Sequence, residues 1–252
     1  MPVLPGAEPF THDGGSTGVL LCHGFTGSPA SMRPWAEYLA AEGLSVSLPR
    51  LPGHGTNWRE MARTRWEDWF AELSRAFEEL NKRAGEVYVM GLSLGACLGL
   101  RLAEVHGDSV RGLVLVNPSL AADSKLFLLA PVMKHLVPSL KGITDDIKKP
   151  GVTELGYDRV PVRAAATLPQ LWKLTCEGLG ELAQPVLAYR STVDHVVGPA
   201  SMEALRAGLP PGQLTVRSCE DSYHVATLDN DAPAIFAGSL DFIQAHSRAG
   251  NK

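Results

Sequence analysis

The sequence has little cysteine: four residues in 252, at Cys22, Cys97, Cys176 and Cys219, with no C-x-x-C pair. Such scattered spacing excludes a dense disulfide framework and disfavours a cysteine zinc site, so reduced, mostly buried thiols are expected. It also lacks an excess of charge of one sign. The formal net charge is −4, with no polybasic run, which makes nucleic acid and anionic membrane surfaces poor partners. Long apolar runs are absent as well. None approaches the roughly 20 residues that span a bilayer, and the stretch 126–140 is interrupted by Pro131, Lys134, His135 and Pro138. Residues 1–15 are polar, rich in Pro and Gly, and without the basic start and apolar core of a signal peptide. A cytoplasmic protein without stable membrane insertion is the expectation.

What is present suits a globular chain. Residues are 45% hydrophobic and 20% charged, enough for one sizeable domain or one domain carrying an insertion. Six strands read from the pattern: a buried apolar run at 19–22, another apolar run at 87–90, a strand at 110–116 broken only by Arg111 and Gly112, and strands at 44–48, 186–189 and 214–217. Between them lie helical patterns at 28–42, 66–83 and 96–106, and a last one covers 232–246. Gly43 stops the first helix, and Gly85 sits where a C-cap glycine belongs after the second. This alternation predicts an α/β fold with a mostly parallel sheet and helices on both faces.

One segment breaks the rhythm. Residues 119–182 are far more than one crossover needs, and they hold helix-like pieces at 125–140 and 168–182. The expected organisation is a core of 1–118 and 183–252 with an inserted cap at 119–182. In open α/β sheets the ligand crevice lies at the carboxyl ends of the strands, where such a cap would line it.

The chemistry centres on Gly91-Leu92-Ser93-Leu94-Gly95. G-x-S-x-G is a weak pattern alone, but here it follows a strand and opens a helix. A tight turn lifts the serine hydroxyl clear of the sheet, and flanking glycines let neighbouring backbone come close. The Leu94 N–H then lies at a helix N-terminus, where partial positive charge favours an anion. A serine hydroxyl needs a base. His224 is the candidate: it follows the sixth strand and precedes the last helix. His195 comes too early, and His246 is near the end of that helix. Asp194, just beyond the fifth strand, is the candidate acid that orients the imidazole. Asp221 is its rival, three residues before His224, while Asp229 and Asp231 read as caps of the last helix.

A tetrahedral intermediate needs two preorganised donors. Leu94 N–H is one. The loop His23-Gly24-Phe25-Thr26-Gly27, directly after the first strand, offers the Phe25 N–H as the other, with its ring as a pocket wall. Gly24 and Gly27 permit the tight loop. His23 and His54 read as loop braces, and neither pairs with another histidine at metal-ligand spacing. No cofactor or metal is expected.

The loop 23–27, Pro52-Gly53-His54-Gly55, the elbow 91–95 and the run His224-Val225 through Leu228-Asp229 occur in an order that resembles the bacterial carboxylesterases and monoacylglycerol lipases of the α/β-hydrolase superfamily. The resemblance covers about residues 16–246. It implies Ser93, Asp194 and His224 as a triad, Phe25 and Leu94 as oxyanion donors, and a compact cap over an apolar acyl pocket. Two positions depart from the pattern: Tyr223 and Ala96 stand where glycines are common. The expected activity is hydrolysis of short to medium carboxylic esters, monoacylglycerols among them, by a monomer or homodimer. Thioesterase or acyltransferase chemistry and a non-catalytic small-molecule receptor are the alternatives.

Overall fold

Nine strands are present in the computed structural model, which describes residues 1–122 and 136–247. They are β1 (Phe10–His12), β2 (Thr17–Cys22), β3 (Ser45–Leu48), β4 (Glu86–Leu92), β5 (Val110–Val116), β6 (Ser139–Lys141), β7 (Arg159–Pro161), β8 (Val186–Ser191) and β9 (Leu214–Cys219). Seven form one sheet in the order β1-β3-β2-β4-β5-β8-β9. All neighbours pair in parallel except β1, which runs antiparallel to β3 with Phe10 opposite Leu48. Sequence alone left 1–15 without an element; β1 is an exposed, three-residue edge strand whose composition carries little apolar signal.

The helices are α1 (Arg33–Ala41), α2 (Trp58–Met61), α3 (Trp66–Asn81), α4 (Leu94–His106), α5 (Val162–Ala165), α6 (Leu168–Gly178), α7 (Ala200–Gly208) and α8 (Ala232–His246). Strand side chains alternate between two cores. Leu20, Val87, Val89, Leu113 and Leu115 join the side chains of α3, α4, α6 and α7. Val19, Leu21, Tyr88, Met90, Val114 and Val116 join those of α1 and α8, where Trp35 stacks on Phe236 at 5.9 Å. Covering both faces explains why the central strands β2, β4, β5 and β8 read as near-continuous apolar runs, whereas β9, at the sheet edge, alternates and is largely exposed. Each fully buried Val, Leu or Ile contributes about 1.5–3 kcal/mol.

Several boundaries differ from the sequence reading. The helix expected at 66–83 ends at Asn81, and Gly85 is no left-handed cap: its N–H bonds Ser16 O at 2.6 Å and leads into β4. Gly43 does take that role after α1, at φ +84. Helix α7 between β8 and β9 had no reading. Of the helical piece expected at 125–140, residues 125–135 lie outside the described residues, whereas Ser139 and Leu140 belong to β6. Strands β6 and β7 pair antiparallel, and α6 buries Leu168, Leu171 and Trp172 in the core it shares with α4.

Candidate active site

Strand β4 runs to Leu92 and α4 begins at Leu94, so the elbow is compressed to one residue, Ser93, with φ 56 and ψ −114. The sequence reading spread this turn over 91–95. A non-glycine residue there costs about 1–3 kcal/mol and persists only where its surroundings hold it. They do: Ser93 N donates to Val116 O at 2.9 Å, and Ser93 O accepts from Ala96 N at 3.1 Å and Ser119 N at 3.2 Å. A Cβ on Gly91 would strike the Gly95 carbonyl, and one on Gly95 would strike the Cys22 carbonyl. Both glycines exist for close approach, with β2 and β4 pressed against the first turn of α4. Ala96 is fully buried in that turn.

The Phe25 loop follows β2. Its left-handed residue is Thr26, at φ 63, and neither Gly24 nor Gly27 has positive φ. Gly27 instead makes room for Glu154, whose Oε1 would lie 2.6 Å from an added Cβ. The loop is strapped from residues 154–157: Tyr157 N donates to Thr26 O at 2.9 Å, and Ser28 Oγ donates to Leu155 O at 2.7 Å. Tyr157 Oη donates to Gly53 O at 2.7 Å, fixing the Pro-Gly-His-Gly turn to the same strap. The Phe25 ring packs edge-on to Trp69 at 5.6 Å.

His23 braces the loop as expected. Its Nε2 accepts from Leu51 N at 3.2 Å, so its Nδ1 carries the proton and donates to Gly24 O at 3.0 Å. Burial pulls its pKa down to about 4. His54, edge-on to His23 at 5.0 Å, is pulled well below the ordinary value, again first by burial. Because unfolding restores His23 to about 6.5, the unfolded chain binds the extra proton. Stability is therefore full above that pH and falls as pH drops toward 4, by about 3 kcal/mol from His23 alone. Melting temperatures measured from pH 7.5 to 4 should show this decline, and a His23→Gln variant should show a flatter one.

Asp194 follows β8 and is fully buried at its side chain. Its Oδ1 accepts from Val196 N at 2.9 Å and Val197 N at 2.8 Å; its Oδ2 accepts from Arg190 Nη1 at 2.7 Å and His224 Nδ1 at 3.0 Å. Burial pushes this carboxyl up, but the His224 contact and the two amides outweigh it and hold the pKa below the ordinary value. An ionised carboxylate only accepts, so the proton between the two lies on Nδ1 and His224 Nε2 keeps its lone pair. The rival Asp221 points elsewhere: it is exposed and pairs with Lys148 Nζ at 2.7 Å.

The two residues expected to cap the last helix do other work. Asp231 occupies the N-cap position but its Oδ2 accepts from Asp221 N at 2.9 Å. Asp229 is buried and takes the amides of Lys148, Lys149 and Tyr223. Sequence reasoning also missed Asn117 and Asp146. Asn117, at φ 44 just past β5, donates through Nδ2 to His224 O at 2.8 Å and accepts at Oδ1 from Ser191 N at 2.9 Å. A polar residue ending an apolar parallel strand was the available signal. Tyr223, the departure from glycine, packs its ring edge-on to His195 at 4.8 Å. His246 Nδ1 bonds Phe242 O within α8.

Ser93 and His224 share the wall of a cavity of about 320 Å³. Gly24, Phe25 and Thr26 line one side; Leu140, Ile143, Val160, Val162, Ala165, Val196 and Val225 make much of the rest apolar. Glu154 also faces it, and loss of water pushes that carboxyl up to about 7 against the pull of His224. Among the described residues, no group of three or more His, Cys, Asp or Glu is placed to hold a metal ion.

A strained serine between a parallel strand and a helix, and a histidine–aspartate pair after the last strands, define an α/β hydrolase. The family model described as alpha/beta hydrolase fold matches residues 18–147, and the chain belongs to that family. It is 40% identical over 247 residues to the thermostable monoacylglycerol lipase of Bacillus sp. strain H-257, covering 98% of each chain. It is 24% identical to the carboxylesterase of Bacillus subtilis strain 168, covering 94% of this chain and 96% of that one. A solved structure of a metagenome-derived lipolytic enzyme superposes with a TM-score of 0.94 at 39% identity, covering 97% of this chain and 100% of that one.

Proposed function

We propose that the protein is a serine esterase acting on monoacylglycerols and related short to medium carboxylic esters through an acyl-enzyme. The observation that carries this reading is the His224–Asp194 bond of 3.0 Å, with His224 on the same cavity wall as Ser93. His224 Nε2 takes the Ser93 proton as Ser93 Oγ attacks the ester carbonyl. The N–H groups of Phe25 and Leu94 hold the oxyanion. His224 then returns the proton to the leaving alcohol, and water activated by His224 hydrolyses the acyl-enzyme. The apolar wall suits an acyl chain, while Glu154 and Thr26 suit a hydroxylated alcohol. Segment 119–182 is read as an inserted cap on its described parts: Leu140–Ile143, Glu154, Val160, Val162 and Ala165 line the cavity, and α6 packs on α4 in the core. The high identity to a monoacylglycerol lipase supports the choice of alcohol.

A fluorophosphonate should label the wild-type protein and leave Ser93→Ala unlabelled. Equal labelling of both, or none of either, removes the enzyme reading and favours a receptor. In a panel matched for acyl chain, kcat/KM should be higher for glyceryl monoesters than for methyl esters or acyl thioesters. No preference for the glyceryl series overturns the choice of alcohol.

A further inference from the structure

We propose that Asp146 is a positioning residue that holds the Asp194 loop and the His224 loop in register from the cavity side, an inference that rests on the acyl-transfer reading above. Asp146 sits far in sequence from both loops, on the segment between β5 and β8, and is buried. Its Oδ2 accepts from His195 N and from His224 N, each at 3.1 Å. Its Oδ1 bonds His195 Nδ1 at 2.6 Å, and its own carbonyl accepts from Val225 N at 3.1 Å.

The consequence is a shared grip on the acid and the base. Asp194 Oδ1 takes the amides of Val196 and Val197, and Asp146 takes that of His195, so three consecutive amides after Asp194 end on two carboxylates. The backbone of His224 is held from both directions. Asn117 donates to its carbonyl from the sheet, and Asp146 accepts from its amide on the cavity side. A carboxylate has about four lone-pair sites, and three converging donors fill most of them. An apolar side chain here would strand the buried amide of His224 and remove the partner of the His195 amide. Asp146 lines the cavity but acts through His224 rather than on the substrate.

The test uses the full chain with Asp146→Ala, Asp146→Asn and His195→Ala. Each is measured for kcat and KM on one ester, fluorophosphonate stoichiometry, melting temperature and the low-field proton resonance of the His224–Asp194 bond. Misplacing a catalytic group by a fraction of an ångström is expected to lower kcat per labelled site by about 10- to 100-fold in Asp146→Ala, with KM changed less than about threefold. The low-field resonance should broaden or move. Asp146→Asn keeps one oxygen for the two amides and should recover to within about threefold of wild type. His195→Ala should stay within about twofold, because the ring contact is half exposed and the amide contact remains. Should Asp146→Ala not fold, Asp146→Ser, too short to reach both loops, should show the same kcat loss against Asp146→Asn. Wild-type kcat with an unchanged resonance in the folded Ala or Ser variant overturns the inference, as does a loss confined to KM. The acyl-transfer reading stands or falls separately, on labelling at Ser93.

Discussion

Asp194→Asn is expected to lower kcat by about 10⁴-fold, with KM little changed. The reason lies in what Asp194 Oδ2 does. It accepts from both His224 Nδ1 and Arg190 Nη1, while Oδ1 accepts the amides of Val196 and Val197. An amide that keeps its oxygen on the two backbone N–H groups must turn its NH₂ toward His224 and Arg190. That donor meets the Arg190 donor, and it pushes the His224 proton from Nδ1 to Nε2. On the acyl-transfer reading proposed above, Nε2 then has no lone pair with which to take the Ser93 proton. The paired control is Asp221→Asn, which breaks only an exposed ion pair with Lys148 and should leave activity within about twofold. Steady-state kinetics on one ester, with melting curves to show both variants folded, decide between the two acids. Full activity in the Asp194 variant with loss in the Asp221 variant would reverse their roles.

The same comparison shows which parts of the site were legible. Ser93, Phe25, Asp194 and His224 each follow a strand that the sequence pattern marks, so their order along the chain was enough to propose their neighbourhood. What was not legible is held by contacts distant in sequence. Asp146 reaches His195 and His224 across 49 and 78 residues, and nothing local to Asp146 marks it. Asp229 looked like a helix cap because capping is the commonest local use of an aspartate before a helix. Its partners at Lys148 and Lys149 come instead from the segment between β5 and β8. The Phe25 loop shows a different limit. Gly24 and Gly27 were read as permitting the tight loop, yet the left-handed residue is Thr26, and a carbonyl contact with Tyr157 helps hold it there. The sheet was more readable than the site because periodicity is local, whereas a site is assembled from loops whose bonds are not.

Gly95→Ala is the second large effect expected, and it tests the packing beneath the chemistry. The added Cβ would fall on the Cys22 carbonyl oxygen, 2.6 Å from Cys22 C and 2.7 Å from His23 O. These are backbone atoms at the end of β2, so no rotamer change relieves the overlap. The first turn of α4 must back away from β2, which separates Leu94 N–H from the Phe25 loop that begins at His23. Overpacking of this kind costs about 3 kcal/mol or more, about 10 °C in melting temperature for a chain of this size. If Leu94 N–H is an oxyanion donor, as proposed above, activity should fall by at least about 10²-fold even in the folded fraction, because that donor is displaced. Gly99→Ala on the same helix is the control. Its Cβ would meet only a Val89 methyl at 3.0 Å, a side chain able to shift, and the gain in helix propensity of about 1 kcal/mol offsets the contact. Near-wild-type melting and kcat in Gly99→Ala, with both lost in Gly95→Ala, would tie the loss to the junction of β2 with α4. Equal losses in the two variants would mean that α4 as a whole, and not the approach of Gly95 to Cys22, limits the elbow that presents Ser93.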